Sequence, residues 1–254
     1  MNAKKFPVDP RSIGFYEAIY RDETSFGGVL TAEDAQPRIK ELAALGALKG
    51  RILETGCGVG SNTIYLTKLG YDVVGIDGAP SGIKRAKERA KREGVAAVFA
   101  VADATRLDCY SGIFETVFET GLYHCLDEEG RRRYALAVHR ATSPGARWFI
   151  FCWGAHNVNG IVFPMAPGEE DLRETLSAAG WRIDYAGATT HQLRIKDLLG
   201  AMPGDSMQRA AEGLDGRARE KAALFTSRVK SVASMLDEDG FVTVPGLAVY
   251  ATRV

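Results

Sequence analysis

Residues 51–70 read RILETGCGVGSNTIYLTKLG, an apolar run that enters three glycines spaced G-x-G-x-G and leaves as a helix-forming stretch. Glycines at 56, 58 and 60 let the backbone turn sharply and approach a ligand closely. They fall at the carboxyl end of the first strand, where open parallel sheets keep their ligand crevice. Outward from this unit one plan recurs, an amphipathic helix, a glycine stop and a short β-branched or aromatic run. KLGYDVVGID (68–77), REGVAAVFAVAD (92–103), SPGARWFIFCW (143–153) and AAGWRIDYAG (178–187) all follow it. Glycine supplies the left-handed cap of each helix, and the apolar runs read as strands buried on both faces. Strands are predicted over 51–55, 72–77, 97–101, 114–119, 147–153, 182–185 and 247–252. In the second intervening helix Ile83, Ala86 and Ala90 share one face, with Ser81 near its start and Gly94 as its stop. Asp127 is placed to cap the helix after the fourth strand.

The alternation predicts an α/β, Rossmann-like, doubly wound fold with a seven-stranded, mostly parallel sheet, helices on both faces and a helical insertion before the last strand. The chain divides into an N-terminal helical arm or lid (1–48), the Rossmann-like core (49–189), the insertion (190–240) and the last core strand (241–254). The insertion carries a helix whose apolar face is Ala218, Ala222, Phe225, Val229, Val232 and Leu236, a spacing that fits packing on another surface. So long a segment between two strands is expected to be a lid or a subunit contact, in a monomer or homodimer.

Hydrophobic residues make up 46% and charged residues 25% of the 254, the range of a globular protein and not of a disordered one. Lysine plus arginine equals aspartate plus glutamate at 32 each, so no global field favours nucleic acid or an anionic membrane. The N-terminal residues contain no apolar stretch of signal-peptide length, and a cytoplasmic location is expected. Cys57, Cys109, Cys125 and Cys152 lie far apart without a C-x-x-C pair. Free thiols are expected, with neither a disulfide framework nor a metal site.

A dinucleotide fold asks for G-x-G-x-x-G, with helix amides facing a pyrophosphate. Here the spacing differs and Glu54 precedes the turn, which suits a cationic ligand better and argues against a nicotinamide enzyme. Asp77 ends the second strand, where a carboxylate can accept from both hydroxyls of a ribose, and Asp103 follows the third, placed to accept from an adenine amine. Taken singly, either acid serves equally well as a loop cap. Their placement after successive strands favours the ligand.

These residues resemble the class I S-adenosylmethionine-dependent methyltransferases. ETGCGVG is similar to the family's glycine motif, VVGIDGAP to its second-strand acidic motif and VADATRLD to its adenine-contacting motif, while residues 115–153 are similar to the fourth and fifth strands with their helix. FYEAIYRDETSFGGVLTAEDAQPRI resembles the arm of the small-molecule branch related to thiol, thiopurine and quinone methyltransferases. Where members of that branch carry tryptophans, this chain has Phe15, Tyr20 and Gly28. The resemblance implies S-adenosylmethionine as cofactor and S-adenosylhomocysteine as product. It places Glu54 with Gly56, Cys57, Gly58 and Gly60 at the methionyl part, Asp77 and Gly78 at the ribose, Asp103 and Ala104 at the adenine edge, and Glu119 and Thr120 at the amino group or transferring methyl.

The expected reaction is metal-independent methyl transfer to oxygen, sulfur or nitrogen of a small aromatic or secondary-metabolite substrate. Its alternative is a cyclisation or elimination that retains the methyl group. A proton acceptor is sought in His124, which follows the fourth strand, and then in His156, after the fifth; His124 serves equally as a structural hydrogen bonder, and for His156 that is the commoner role. His139 and His191 receive no role. Tyr16, Tyr20 and Tyr123 are candidate walls of the substrate pocket, although core packing is the commoner fate of such tyrosines. The absence of an N-P-P-Y type fourth motif argues against methylation of nucleic acid or protein amino groups.

Overall fold

The computed structural model describes residues 12–21, 34–163, 166–195, 216–235 and 240–254. In chain order the elements are α1 (Ile13–Arg21), α2 (Pro37–Ala44), β1 (Ile52–Thr55), α3 (Ser61–Lys68), β2 (Val73–Asp77), α4 (Pro80–Arg92), β3 (Val98–Val101), β4 (Phe114–Glu119), a 3-10 turn (Tyr123–Cys125), α5 (Glu128–Ala141), β5 (Thr142–Trp153), α6 (Glu169–Ala178), β6 (Trp181–Arg194), α7 (Gly216–Ala233) and β7 (Phe241–Arg253). The strands form one sheet in the order β3-β2-β1-β4-β5-β7-β6. The strands from β3 to β5 pair in parallel, and β7 pairs antiparallel with both β5 and β6. Strand order reverses between β1 and β4, and the crevice of a doubly wound sheet opens at such a point, beyond the carboxyl ends of the strands.

The glycine stops hold where a helix meets a strand: Gly70 and Gly94 take φ of +88° and +67°, a region closed to most side chains. Asp127 caps α5 by accepting from the Gly130 amide at 2.7 Å. One face of the sheet is filled by α5 and α6, with fully buried Trp148 packed edge-on to Tyr134 at 5.1 Å and tilted onto Trp181 at the same separation. Ile39, Leu42, Leu66 and Phe151 fill the opposite face under α2 and α3. Rings of this size contribute about 2 kcal/mol each by burial.

Three expectations need correction. β3 is an edge strand, with Val98 and Val101 more than half exposed, so it is not buried on both faces. β5 begins at Thr142, directly after α5; Gly145 lies in a bulge where the pairing slips between Phe114–Thr142 and Thr116–Arg147, and stops no helix. β6 and β7 are far longer than predicted, pairing from Trp181–Arg253 to Arg194–Phe241. Residues 190–194, expected to open the insertion, therefore continue β6.

Because β5 pairs with β7 only as far as Gly246, the ends of β6 and β7 project as a two-stranded ribbon beyond the carboxyl end of β5. A ribbon alone is marginal in water, and here α7 covers it. Phe225 and Val229 pack with Ile161, Phe163, Ile195, Val242 and Val244, and Val232 leans on the cluster. Ala222 of the expected apolar face is also buried, while Leu236 and the side chain of Ala218 lie outside the described residues, as does Gly28 of the arm. Among the described residues no helix is long and apolar enough to cross a membrane.

Candidate active site

The turn after β1 is built from left-handed glycines, with φ of +71°, +53° and +81° at Gly56, Gly58 and Gly60. A Cβ on Gly60 would sit 2.6 Å from the Phe99 ring, so that position excludes side chains sterically as well as by backbone shape. Asp77, at the tip of β2, ties the turn down: Oδ2 accepts from the Gly58 amide at 2.9 Å and Oδ1 from the Ala79 amide at 2.8 Å. Burial raises its pKa. A carboxylate offers about four acceptor positions, so Asp77 keeps capacity for hydroxyl donors. Asp103 uses Oδ1 for the amide and hydroxyl of Thr105, at 2.8 and 2.7 Å, closing its own loop. Its Oδ2 has no protein partner among the described residues. Ala104 is half-buried against the α5 side of the core.

Other expected contacts are redistributed. Glu54 does not reach into the crevice: Asn62 donates to Oε1 at 2.8 Å and the Thr63 hydroxyl donates to Oε2, inside a pocket that leaves the residue 1% exposed. Burial lifts its pKa to about 7. Glu54 thus anchors the start of α3 under the glycine turn. The Cys57 side chain packs with Ile64, Ile83 and Phe99, leaving only its backbone toward a ligand. Glu119, expected at an exposed strand end, is fully buried. Its Oε2 accepts from the amides of Gly121, at 2.6 Å, and Leu122, while Oε1 is enclosed with no partner among the described residues. Burial again raises the pKa to about 7. Glu119 therefore shapes the turn after β4 from below.

Asn62, which the sequence reading passed over, is the hub. It donates to Glu54 and to Thr120 Oγ1 at 3.2 Å and accepts from the Gln36 amide at 2.8 Å, joining the tips of β1 and β4 to the start of α2. Its only sequence signal is a polar amide one residue into the helix that follows the glycine turn.

Helix α1 of the arm packs over the turns after β1 and β2. Ile13 packs where a Gly78 side chain would point, and the Tyr20 ring lies against Gly82, Val59 and Ala79. Glu17 accepts from the Ser81 amide at 2.8 Å and hydroxyl at 2.6 Å, capping α4 from another helix. Tyr16 donates to Cys125 Sγ at 2.8 Å, and Sγ donates onward to the Gly121 carbonyl at 3.1 Å. Tyr16 and Tyr20 thus bridge the arm to the turns after β4 and β1. Tyr123 does not line a pocket: it is fully buried and donates to Asp171 at 3.0 Å, beside the Arg131–Asp171 ion pair.

Beyond the tip of β4 stands an aromatic wall. His124 stacks on Trp153 at 4.4 Å and 11°, and Trp153 stacks on Phe163 at 4.0 Å and 5°. The edge of the His124 ring lies over Gly121, where a Cβ would be 3.6 Å from Cε1. The Trp153 amide donates to His124 Nδ1 at 3.3 Å, which removes the lone pair expected to serve as base; burial also lowers the pKa to about 3. His156 fails differently, with Nε2 donating to the Thr189 carbonyl at 3.1 Å and Nδ1 enclosed against Gly154. His191, given no role, donates from Nε2 to the Cys152 carbonyl at 3.2 Å. One peptide group, Cys152–Trp153, therefore holds His124 by its N–H and His191 by its C=O, on opposite sides of β5.

Comparison with known proteins identifies the family. A family described as "Methyltransferase domain" matches residues 52–145, from β1 into β5. A 2-heptyl-1-hydroxyquinolin-4(1H)-one methyltransferase of Mycobacteroides abscessus is 34% identical over 151 residues, 59% of this chain and 66% of that protein, just under two thirds of its length. An uncharacterised methyltransferase of Schizosaccharomyces pombe is 33% identical over 116 residues, 46% of this chain and 80% of that protein. Among solved structures, a chain from the conversion of a disulfide bond into a thioacetal group during echinomycin biosynthesis superposes with a TM-score of 0.70 at 24% identity, covering 95% of this chain and 93% of that one. The [4+2]-cyclase SpnF superposes at 0.64 and 17% identity over 99% of both chains. Likenesses at those identities speak for the fold. With the sequence relatives they settle the family: the chain belongs to the class I S-adenosylmethionine-dependent methyltransferases, and S-adenosylmethionine is its cofactor.

Proposed function

We propose that this protein methylates an oxygen, sulfur or nitrogen of a small aromatic or secondary-metabolite acceptor in the cytoplasm, without a metal. The observation that carries this reading is the aromatic stack of His124, Trp153 and Phe163 beside the turn after β4, across β1 and β4 from Asp77. Rings stacked near 4 Å apart cover one another's faces and turn their edges to the side, where a planar acceptor would pack edge to face. A hydroxylated quinolinone in the name of the Mycobacteroides relative agrees with that choice.

When bound, S-adenosylmethionine supplies a methyl group already activated by its sulfonium. Asp77 would accept from the ribose hydroxyls and Asp103, through its unused Oδ2, from the adenine amine. The amides and carbonyls of the turn at 56–60 and the Thr120–Gly121 backbone would hold the methionyl end. Glu54, Asn62 and Glu119 fix these turns from beneath, and α1, with the arm read as a lid, excludes water over Gly78 and Gly82. The ribbon of β6 and β7, backed by α7, raises the acceptor side of the cleft.

Purified protein incubated with methyl-labelled S-adenosylmethionine and a panel of phenols, thiophenols and 2-heptyl-1-hydroxyquinolin-4(1H)-one tests the reading. Label in the acceptor, with S-adenosylhomocysteine formed in equal amount, is the expected result. Turnover of an acceptor without label would move the protein to the non-methylating reading, which the full-length likeness to the [4+2]-cyclase favours at the level of fold. No turnover of any kind would sink both.

A further inference from the structure

We propose that His124 is a fixed hydrogen-bond donor to the acceptor, and that the enzyme takes planar aromatic acceptors that reach it already ionised, without a protein base. The proposal rests on the methyl-transfer reading above. An amide N–H only donates, so the contact from Trp153 to His124 Nδ1 places the ring proton on Nε2. Nε2 has no partner among the described residues and, unlike Nδ1 of His156, is not sealed off. A half-turn of the ring would keep its plane on Trp153 but put Cδ2 in place of Nδ1 and lose this hydrogen bond, so the bond holds the ring in the orientation that the stack alone leaves open. At the tip of β4 it therefore presents an N–H, where an incoming anion finds a charge-assisted partner.

The lone pairs of the described residues beside His124 explain the second half, while Asp77 and Asp103 keep theirs at the far strands of the crevice, where the adenosyl part would take them. Both oxygens of Glu54 are engaged by Asn62 and Thr63. Glu119 gives Oε2 to two amides and keeps Oε1 enclosed. Cys125 donates to the Gly121 carbonyl and receives Tyr16. His191, which also faces Arg38, keeps a lone pair on Nδ1, but the Cys152–Trp153 peptide stands between it and His124. Burial keeps His124 uncharged near neutrality, so its donor is a neutral N–H. In the step so defined, the acceptor anion's electron pair forms the bond to the methyl carbon as the carbon–sulfur bond breaks onto the sulfonium sulfur. The products are a neutral methylated acceptor and a neutral thioether, and the acceptor's proton has already gone to solvent.

Three measurements test this. Two-bond proton–nitrogen correlation spectra of the histidine rings, in the protein with and without S-adenosylhomocysteine, are expected to show His124 neutral and protonated on Nε2 across the range where an ordinary histidine titrates, near pH 6.5. A ring protonated on Nδ1, or an imidazolium near neutrality, overturns the proposal whether or not turnover is found. For activity, the pH dependence of kcat/KM is followed with the 4-nitro and 4-methyl derivatives of the phenol and thiophenol in the panel. The rise with pH is expected to move with the ionisation of each acceptor; a rise fixed at one pH for every acceptor marks a protein base and overturns it. His124→Gln, which retains an N–H near the Nε2 position, should lose less than about ten-fold, and His124→Phe, which retains only the stack, about 30-fold or more. Equal loss in both counts against the donor. Absence of label in every acceptor, with the Nε2 proton confirmed, sinks the methyl-transfer reading and not the tautomer.

Discussion

At the scale of single residues the crevice is held open by backbone shape and by carboxylates turned inward. Gly60 combines a φ of +81° with a Cβ position 2.6 Å from the Phe99 ring. Gly60→Ala should therefore lower stability by about 2 kcal/mol or more, from the left-handed backbone and the crowding together, as read by urea denaturation. An unchanged midpoint would mean that the turn reshapes freely. Asp77 does two jobs, holding the Gly58 and Ala79 amides and keeping acceptor capacity toward the cleft. Asp77→Ala should weaken S-adenosylhomocysteine binding at least ten-fold by calorimetry, in a protein whose circular dichroism stays native. Binding within two-fold of wild type would remove Asp77 from the site. Asp77 and Asp103 were legible in the sequence because strand ends are, and the glycine turn because its spacing is unusual. The inward turn of Glu54, Glu119 and Tyr123 was not, since a sequence places a residue at a strand tip without saying on which side of the loop its oxygens will find donors.

Among the elements, the two that border the cleft are held by identifiable contacts. Helix α1 is clasped by Glu17 at the start of α4 and by Tyr16 at Cys125. Glu17→Ala removes a helix cap of the kind that contributes about 1 kcal/mol. Faster amide exchange over residues 13–21 should follow, with little change in the exchange of β1 and β4; equal acceleration everywhere would show that the arm belongs to the global core. On the other border, Val229 is 2% exposed in the packing of α7 on the ribbon. Val229→Ala should raise the KM for the acceptor several-fold while leaving S-adenosylhomocysteine affinity in place, because it loosens the wall and not the glycine turn. A parallel loss of both would deny the division of the cleft into two sides. The α7 face was readable from its helical period. The ribbon was missed because ATTHQLRI alternates weakly, and one of its faces is polar until α7 and β7 are known to lie against it.

Over the whole molecule, the common consequence of two inward glutamates is a dependence of stability on pH that runs against ordinary acid denaturation. Glu54 and Glu119 are both buried, and both are raised to about 7. A carboxyl raised by folding holds its proton more tightly in the native than in the unfolded chain. Its stabilising contribution is complete below the unfolded value near 4.3 and is lost as the pH rises through about 7. For Glu119, where burial outweighs the backbone amides that favour the charged form, the loss between pH 5 and pH 8 is roughly 2 to 3 kcal/mol. Glu119→Gln keeps an oxygen for the Gly121 and Leu122 amides and cannot ionise. The stability difference between variant and wild type should then shift toward the variant by about that amount from pH 5 to pH 8 in urea titrations. A difference that stays constant across this interval would mean that Glu119 is charged in the fold at no cost, and that the turn carrying Thr120, Gly121 and His124 is held by a carboxylate at every pH at which the enzyme works.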